Sequence, residues 1–478
     1  MPEQLTPDIC VIGAGSGGLS VAAAAAAFGV PVVLIERGKM GGDCLNYGCI
    51  PSKALLAAAK RARAVDGYSR FGVKVPRAKV DFLGVHAHVT NVIHAIAPND
   101  SKERFTGLGV HVIEGTARFQ DRRTIAVGER FEIRARRFVI ASGSAPAIPP
   151  ISGLEDVAYL TNETIFDLTQ CPKHLIVIGA GPIGLEMAQA HRRLGAEVTV
   201  LEAAVPLAND DSECAAIVLD QLAREGVVIR SGVKIARVER LRSRRVRVVL
   251  RMPTGGEEAL EGSHLLVATG RRANLADLNL DVAGIAYEPR GVRVDKRLRT
   301  SNRKVYAIGD AVLGGPQFTH VANYHAGLVI RNALFRLPVN AAKGVIPWVT
   351  YTDPELAHVG LREEEARQRY GTIRVLRWPY HENDRAQTER ETKGHIKVVT
   401  DKGGRVLGVT IVGAHAGELI TTWTLAAALE LRVGALLALI MPYPTLAEIG
   451  KRAALSYYTP SLTSPWVRRI ISLLRRLG

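Results

Sequence analysis

The sequence predicts an α/β fold that contains the same strand–helix–strand unit of the Rossmann type twice. Each copy begins with a short apolar run, continues through a glycine-rich turn and a helix, and ends in a second apolar run followed by an acid. The glycines and acids of the two copies are Gly13, Gly15, Gly18 and Glu36, and Gly179, Gly181, Gly184 and Glu202. The third glycine and the acid are 36 − 18 = 18 residues apart in one copy and 202 − 184 = 18 in the other. Two complete units with equal spacing are a strong signal, whereas a single glycine triplet is a weak one.

These two units predict two dinucleotide sites. In such units the glycines permit a tight turn and a close approach to a pyrophosphate, and the acid accepts hydrogen bonds from the adenosine ribose. At the second site Glu202 would repel a 2′-phosphate, and no arginine follows it in Ala203–Val205. The second site is therefore predicted to prefer NADH over NADPH.

A pair of cysteines, Cys44 and Cys49, follows the first unit. In a regular helix this spacing is too wide for a disulfide, which needs Cα atoms about 4.4 to 6.8 Å apart. The segment must therefore bend, with Gly48 supplying the backbone freedom and Pro51 suited to the start of a helix. Cys49 is then expected just before a helix N-terminus, where N–H groups and the helix dipole favour a thiolate. A redox cysteine pair at this position predicts a flavin at the first site and a nicotinamide at the second.

Length, charge and cysteine content limit the class of protein. A chain of 478 residues predicts about three domains. The formal charge of +16 comes mainly from scattered arginines, with a cluster at 242–247, and no aromatic-interleaved basic motif accompanies it, so nucleic-acid binding is not predicted. Five cysteines with one close pair are typical of a reducing compartment. Without a signal core or an apparent spanning helix, we expect a cytoplasmic protein, and no metal site is predicted.

Together these motifs resemble those of the FAD-dependent pyridine nucleotide-disulfide oxidoreductases, the group that contains dihydrolipoamide dehydrogenase, glutathione reductase and mercuric reductase. Three further motifs extend the resemblance over nearly the whole chain: Ala268–Arg271, Val305–Asp310 and Tyr351–Glu355. The resemblance implies a homodimer whose active site is shared between subunits. It also implies an FAD-binding domain (first part, 1–147), an NAD-binding domain (148–273), a return to the FAD side (274–345) and a C-terminal α+β interface domain (346–478).

By position in these motifs, the resemblance implies the residues of both nucleotide sites. In addition to the glycines and acid of the first copy, FAD would contact Gly42, Lys53, Gly115, Ser142, Gly143, Asp310, Thr319 and His320. Among these, Asp310 would hold the ribityl chain and Gly115 would lie near the adenosine. In addition to the glycines and acid of the second copy, NAD would contact Glu186 and Gly270.

The resemblance also implies a direction of electron flow. NADH would pass a hydride to FAD, and the reduced flavin would open the Cys44–Cys49 disulfide, with Cys49 facing the flavin and Cys44 meeting the substrate. Lys53 falls one helical turn after Cys49, so it can place its ammonium near the flavin, where negative charge develops on reduction. Glu186 would pair with Lys53 and help to place the nicotinamide.

The chain departs from the family at the proton relay. In the disulfide reductases a histidine–glutamate pair from the other subunit exchanges protons with the second thiol; here Glu448 is kept and Tyr443 replaces the histidine. Histidine titrates near 6.5 and tyrosine near 10, so Tyr443 is expected to be a hydroxyl donor rather than a base. Four histidines could supply a base instead: His320, His325, His358 and His415.

The sequence therefore does not identify the electron acceptor. We expect a small disulfide or thiol-reactive acceptor, with dihydrolipoyl dehydrogenase and a mercuric or other metal-ion reductase as alternatives. Tyr443 is similar to mercuric reductase, yet residues 467–478 contain no cysteine pair to collect the metal. In the tail from Trp466 onwards, apolar residues recur at helical spacing beside arginines. This pattern adds an electron-transfer or interaction subunit at a membrane surface as an alternative, unless the tail packs on the dimer partner.

Overall fold

The structure is a computed structural model that describes residues 1–76, 78–242, 245–252, 255–462 and 464–477. Positions 243 and 244 of the arginine cluster and the last residue of the tail, 478, lie outside the described residues. The chain forms two compact units, Met1–Ala203 with Gly232–Gly344, and Ala204–Ser231 with Val345–Gly478. The four-part domain division that the resemblance implies stays a prediction.

The strands are numbered in chain order. They are Glu3–Leu5 (β1), Ile9–Ile12 (β2), Val32–Glu36 (β3), Val110–Glu114 (β4), Ala117–Phe119 (β5), Ile125–Val127 (β6), Phe131–Ile133 (β7), Arg137–Ile140 (β8), Ser144–Pro146 (β9), His174–Ile178 (β10), Glu197–Glu202 (β11), Val227–Ser231 (β12), Lys234–Arg240 (β13), Val246–Arg251 (β14), Glu257–Gly262 (β15), His264–Val267 (β16), Arg271–Ala273 (β17), Tyr287–Glu288 (β18), Gly291–Val292 (β19), Val305–Ala307 (β20), Trp348–Thr350 (β21), Glu355–Gly360 (β22), Ile373–Pro379 (β23), His395–Asp401 (β24) and Val406–Gly413 (β25).

The α-helices are numbered in the same way. They are Ser16–Ala27 (α1), Gly42–Asn46 (α2), Cys49–Ala64 (α3), Phe82–Ile96 (α4), Lys102–Gly107 (α5), Pro182–Arg193 (α6), Ser212–Arg224 (α7), Thr319–Ala333 (α8), Glu363–Tyr370 (α9), Asp384–Glu389 (α10), Ala416–Ala428 (α11), Val433–Leu437 (α12), Glu448–Ser456 (α13), Thr459–Leu462 (α14) and Pro465–Leu474 (α15).

The first unit contains a five-stranded parallel sheet with the order β20-β8-β2-β3-β4. Every residue of β2 is buried, as expected for a parallel strand that is covered on both faces. Ile12 pairs with Ile35, so the carboxyl ends of β2 and β3 lie side by side. The first glycine turn and Glu36 follow these two ends, and the register therefore brings them to one edge of the sheet.

The second nucleotide unit repeats this arrangement in the parallel strands β11, β10 and β16. Ile178 pairs with Leu201, which brings the second glycine turn beside Glu202. Smaller sheets complete the first unit: β1-β7-β6-β5, the antiparallel β13-β14-β15 and the pairs β17-β9 and β18-β19. The predicted α/β class with two Rossmann-like units is confirmed.

The second unit is α+β. Its antiparallel sheet has the order β21-β22-β25-β24-β23, and α11 and α13 pack against it around the buried Trp423 and Ile449. The buried Lys397 on β24 forms ion pairs with Asp211 (2.8 Å), Glu213 (3.1 Å) and Glu363 (2.9 Å), which fix the N-terminus of α7 to this sheet. No helix in the described ranges has the length and apolar character needed to cross a membrane.

Candidate active site

The two glycine turns have the same geometry. A Cβ atom on Gly13 or on Gly179 would lie 2.4 Å from the backbone carbonyl oxygen opposite the turn, and both have positive φ, +103° and +106°. A Cβ atom on Gly18 would lie 1.8 Å from the carbonyl oxygen of Gly13, and one on Gly184 would lie 2.0 Å from that of Gly179. These close approaches exclude any side chain and hold each helix N-terminus against the strand, which is the arrangement that binds a pyrophosphate.

Both acids are held by the turn beside them. Glu36 Oε2 accepts a hydrogen bond from the Ala14 N–H at 2.5 Å, and Glu202 Oε2 accepts one from the Ala180 N–H at 2.7 Å. Glu36 Oε1 also accepts from the Gly38 N–H at 2.7 Å. Each carboxylate is therefore fixed at its strand end, where a ribose would lie in a Rossmann unit.

The residues around the first turn fit a bound FAD. Ser142 Oγ is buried and has no hydrogen-bond partner within the described part of the chain, so a polar group of a ligand would satisfy it. Gly115 has a φ of +153° and donates its N–H to the carbonyl oxygen of Glu36 at 2.8 Å, at the predicted adenosine end. Asp310 accepts from Ser144 Oγ at 2.5 Å, and burial raises the pKa of its carboxyl. Gly143, with a φ of +67°, lies between the two serines.

The cysteine segment is bent, as the spacing predicts. Cys44 lies in α2 and Cys49 is the first residue of α3, with the chain turning at Tyr47 and Gly48. The helix begins two residues before Pro51, because the Ser52 N–H donates to the Gly48 carbonyl and closes the first turn. N–H groups of a first turn have no helical partner, so proline is tolerated at its third position. Cys49 therefore lies at the N-terminus itself.

Gly42 joins this segment to the first nucleotide turn. Its φ is +58°, and a Cβ atom there would lie 2.7 Å from the Cα atom of Gly15. The Gly41 N–H donates to the carbonyl oxygen of Ala14 at 3.0 Å. The redox segment is thus packed directly on the loop that would bind the pyrophosphate.

The two thiols have unequal proton affinity. The neighbouring Cys44, the hydrogen bond with Thr319 and the positive charge of Lys53 lower the pKa of Cys49 from 9.0 to about 6. The neighbouring Cys49 and burial raise the pKa of Cys44. Thr319 Oγ1 lies 3.3 Å from Cys49 Sγ, and Thr319 is the first residue of α8. Cys49 is therefore the thiolate of the reduced pair and Cys44 keeps its proton.

Lys53 and Glu186 form an ion pair that joins the helix after the cysteine pair to the helix after the second glycine turn. Lys53 Nζ lies 2.9 Å from Glu186 Oε2, and the Glu186 side chain is only 5% exposed. Lys53 is one turn after Cys49 on α3, whereas Glu186 is on α6 beyond the second glycine turn. The pairing that the resemblance implied is present in the structure, and the catalytic roles of both residues stay predictions.

An ion pair between Asp43 and Arg271 was not anticipated from the sequence. Arg271 Nη2 lies 3.2 Å from Asp43 Oδ2, and its Nε donates to Ser144 Oγ at 2.7 Å and lies 3.8 Å from Asp310 Oδ2. Asn162 donates to the other oxygen of Asp43 at 3.1 Å. The only sequence signal was a charged residue directly before Cys44 and another directly after Gly270. Their separation of 228 residues (271 − 43) gave no reason to pair them.

The four candidate histidines have different surroundings. His325 Nδ1 accepts from the Gly309 N–H at 3.2 Å, and burial lowers its pKa. Burial likewise lowers the pKa of His358, to about 4. His415 caps the N-terminus of α11 with a φ of +56°. The His320 ring is stacked on Phe318, directly after the threonine that contacts Cys49.

Tyr443 and Glu448 lie in the second unit. The Tyr443 hydroxyl donates to Asp384 Oδ2 at 2.8 Å, and this contact raises the pKa of the phenol. The ring is 71% exposed. Glu448 is the first residue of α13, where its negative charge interacts favourably with the positive end of the helix dipole. The raised pKa keeps the phenol protonated at neutral pH, and the catalytic roles of Tyr443 and Glu448 stay predictions.

Two families match the chain. Residues 7–326 match "Pyridine nucleotide-disulphide oxidoreductase", and residues 346–454 match "Pyridine nucleotide-disulphide oxidoreductase, dimerisation domain". The chain belongs to the class I pyridine nucleotide-disulfide oxidoreductases, so it is an enzyme that uses FAD and a pyridine nucleotide. The dimerisation domain supports a homodimer.

Among its relatives, the chain is similar to a mercuric reductase of Lysinibacillus sphaericus, with 36% identity over 94% of this chain and 82% of that protein. It is 38% identical to a dihydrolipoyl dehydrogenase of Thermus scotoductus, over 93% of this chain and 95% of the other. A solved structure, the copper(II) complex of the HOCl-induced flavoprotein disulfide reductase RclA from Escherichia coli, aligns with a TM-score of 0.84 and 27% identity. That alignment covers 93% of this chain and 98% of RclA.

Proposed function

We propose that this enzyme uses NADH to reduce a small disulfide or another thiol-reactive acceptor, and that Cys44 and Cys49 form its redox disulfide. The observation that carries this proposal is the lowered pKa of Cys49 in a segment packed on the first nucleotide turn. Bound FAD supplies the two-electron chemistry that joins a nicotinamide to a disulfide. The glycine turn, Glu36 and the buried Ser142 hydroxyl would hold it.

In the reduced pair the two sulfur atoms have different roles. Cys49 carries the negative charge, which Thr319 and Lys53 stabilise. Cys44 is the thiol that meets the acceptor, and it must lose its proton to attack, because the thiolate is the nucleophile. The neighbouring Cys49 and burial raise the pKa of Cys44, so an acceptor that bonds to sulfur strongly enough to displace this proton fits the site.

Lys53 and Glu186 would set the geometry between the two nucleotides. The ammonium of Lys53 lies 2.9 Å from the buried Glu186 carboxylate, so this ion pair defines the position of the positive charge. A cation that is already in place would stabilise the negative charge that develops on the flavin on reduction, without a rearrangement of the side chain. Glu186 follows the second glycine turn on α6, where the nicotinamide end of NADH would enter.

Preference for NADH over NADPH is part of the proposal. The carboxylate of Glu202 is held by a hydrogen bond from the Ala180 N–H. A 2′-phosphate bound there would therefore be repelled by the negative charge of this carboxylate. We expect kcat/KM for NADH to exceed that for NADPH by tenfold or more. Glu202→Ala should reduce this ratio, whereas Glu197→Ala, at the exposed start of the same strand, should leave it unchanged. A ratio near one in the wild-type enzyme would contradict the assignment.

The acceptor is proposed to need thiolates more than a proton relay. In a homodimer with a shared active site, Tyr443 of one subunit would lie near the cysteines of the other, but its one phenolic proton is donated to Asp384 and its pKa is raised, so it would not act as a base for a thiol. This favours thiol-reactive acceptors such as the metal ion named for the mercuric reductase relatives. Dihydrolipoyl dehydrogenase activity, named for other relatives, is the alternative.

Anaerobic titration with NADH followed by an acceptor screen tests the proposal. Lipoamide, glutathione disulfide, mercuric ion and quinones form the screen. The reduced protein should show the long-wavelength absorbance of a thiolate against oxidised flavin. Cys44→Ser and Cys49→Ser should abolish acceptor turnover, while Cys171→Ser, at a half-buried cysteine outside the segment, should not. Full turnover in both active-site variants would remove the disulfide from the path.

A cytoplasmic location with peripheral contact to the inner face of the membrane belongs to the same proposal. The observation that favours it is the exposed apolar side of α15. If α15 holds the enzyme at a bilayer, the second candidate function is electron delivery to a membrane-associated acceptor such as a quinone.

A further inference from the structure

The last helix of the chain, α15, exposes nearly all of its apolar side chains. Trp466 is 69% exposed, Leu473 62% and Leu474 55%. Ile470, Ile471 and Leu477 are exposed as well. Single exposed apolar residues are ordinary, but a continuous set on one helix marks a surface that binds something.

The side chains of α15 are sorted by chemistry around the helix axis. At about 100° per residue, the apolar residues from Trp466 to Leu477 fall within an arc of about 160°. Arg468, Arg469 and Ser472 fall on the opposite side, and the same projection places Arg475 and Arg476 there. Arg475 still has right-handed helical dihedrals, so the arginine arc continues past the helix end. The helix has one apolar face and one cationic face.

The charged residues of the last part of the chain all have one sign. Residues 449–478 contain no Asp or Glu and six basic residues, Lys451, Arg452, Arg468, Arg469, Arg475 and Arg476. The whole chain carries a formal charge of +16, so a second copy offers a net positive partner to this cationic helix. An anionic surface offers the opposite charge. The match to the dimerisation domain also ends at residue 454, before Pro465.

We propose that α15 binds the surface of an anionic lipid bilayer, lying in the plane of the interface. Its apolar face enters the boundary between headgroups and acyl chains, and its arginines contact lipid phosphates. A ten-residue helix is about 15 Å long, half of the hydrocarbon thickness, so α15 lies on the membrane and does not cross it. This inference does not depend on the redox function, since binding is measured without turnover.

Vesicle co-sedimentation of the full-length holoenzyme tests the inference. The vesicles contain either phosphatidylcholine alone or phosphatidylcholine with one third phosphatidylglycerol, at low and at high salt. We expect binding to anionic vesicles at least tenfold tighter than to neutral ones, and weaker at high salt because the charges are screened. Trp466 emission should shift to shorter wavelength on binding, and Trp466→Phe should bind without that shift.

Two variants test the cationic face and the apolar face of the helix separately. Replacing the four arginines Arg468, Arg469, Arg475 and Arg476 with serine should weaken anionic-vesicle binding at least tenfold. The matched control replaces four exposed arginines of the first unit, Arg118, Arg123, Arg290 and Arg303, and should bind within about twofold of wild type. Trp466→Ser with Leu473→Ser should also lose binding.

Three results would overturn the inference. One is equal binding by the wild type and a variant that lacks residues 465–478. Another is equal loss of binding in the two four-arginine variants, which would assign the effect to net charge. The third is a wild-type protein that ignores vesicles while the truncated protein changes from dimer to monomer, because α15 would then belong to the subunit interface.

Discussion

The contact between Thr319 and Cys49 gives the sharpest test of the site. Thr319 Oγ1 is 3.3 Å from Cys49 Sγ and is one of the groups that lower the pKa of Cys49 to about 6. Thr319→Val keeps the β-branched shape at the first position of α8 but removes the hydroxyl. A hydrogen bond to a charged group contributes about 1.5–3 kcal/mol, and a contact this long to sulfur falls at the lower end. Since one pH unit equals about 1.4 kcal/mol, the pKa should rise by about one unit, to about 7.

The assay is a pH titration of the thiolate absorbance of the reduced protein. The other four cysteines do not interfere near neutral pH, because their pKa values are raised: by burial at Cys10, Cys171 and Cys214, and by the hydrogen bond to Cys49 and burial at Cys44. At pH 6.5 the wild type should be about three quarters thiolate and the valine variant about one quarter. A group with a lowered pKa is charged above that pKa, so the variant needs a higher pH to reach the same state.

Thr319→Ser is the matched control, because it retains the hydroxyl and should titrate like the wild type. If the valine variant has the wild-type midpoint, the hydroxyl does not stabilise the thiolate and the reasoning fails. If the serine variant shifts as far as the valine variant, the methyl group and not the hydrogen bond is responsible.

Three further predictions concern the surroundings of the cysteines and the second nucleotide turn. Asp43→Asn removes a carboxylate that raises the pKa of Cys49, so the same titration should give a midpoint a few tenths of a unit lower, and a rise would contradict the electrostatic account. Tyr443→His should raise disulfide reductase kcat by about tenfold or more if the missing base limits turnover, and an unchanged kcat would favour an acceptor that needs no relay. Gly184→Ala should weaken NADH binding at least tenfold in calorimetry while FAD stays bound, because its Cβ would lie 2.0 Å from a backbone oxygen; Gly327→Ala, with open space around its Cβ, should bind normally.

Most of the nucleotide-binding framework could be predicted from the sequence because it depends on local features. Glycines at fixed spacing, a buried strand before them and an acid after the next strand are contiguous in the chain. The structure places Glu36 and Glu202 on equivalent backbone N–H groups, as equal spacing requires. The start of α3 was less predictable, because proline is tolerated at several positions of a first turn.

The side chains around the cysteines were only partly predictable. The pairing of Lys53 with Glu186 came from the family resemblance, and the structure has that contact. Arg271 was recognised in a motif, but its contacts with Asp43 and Ser144 were not, because they join segments more than a hundred residues apart. The acceptor of the Tyr443 hydroxyl could not be predicted either, since Asp384 lies 59 residues away in another helix, α10.

The class of this protein could be predicted from its sequence, because the two dinucleotide-binding units and the cysteine pair are coded by short contiguous motifs, and the family resemblance that these motifs carry implied the dimerisation domain. Which of the two thiols carries the proton could be seen only in the folded chain. That depends on Thr319 reaching Cys49 from α8 and on Lys53 being held by Glu186, distances that no linear spacing fixes. The exposure of α15 is likewise a tertiary fact, because an amphipathic pattern predicts a helix but does not tell whether protein or solvent covers its apolar face.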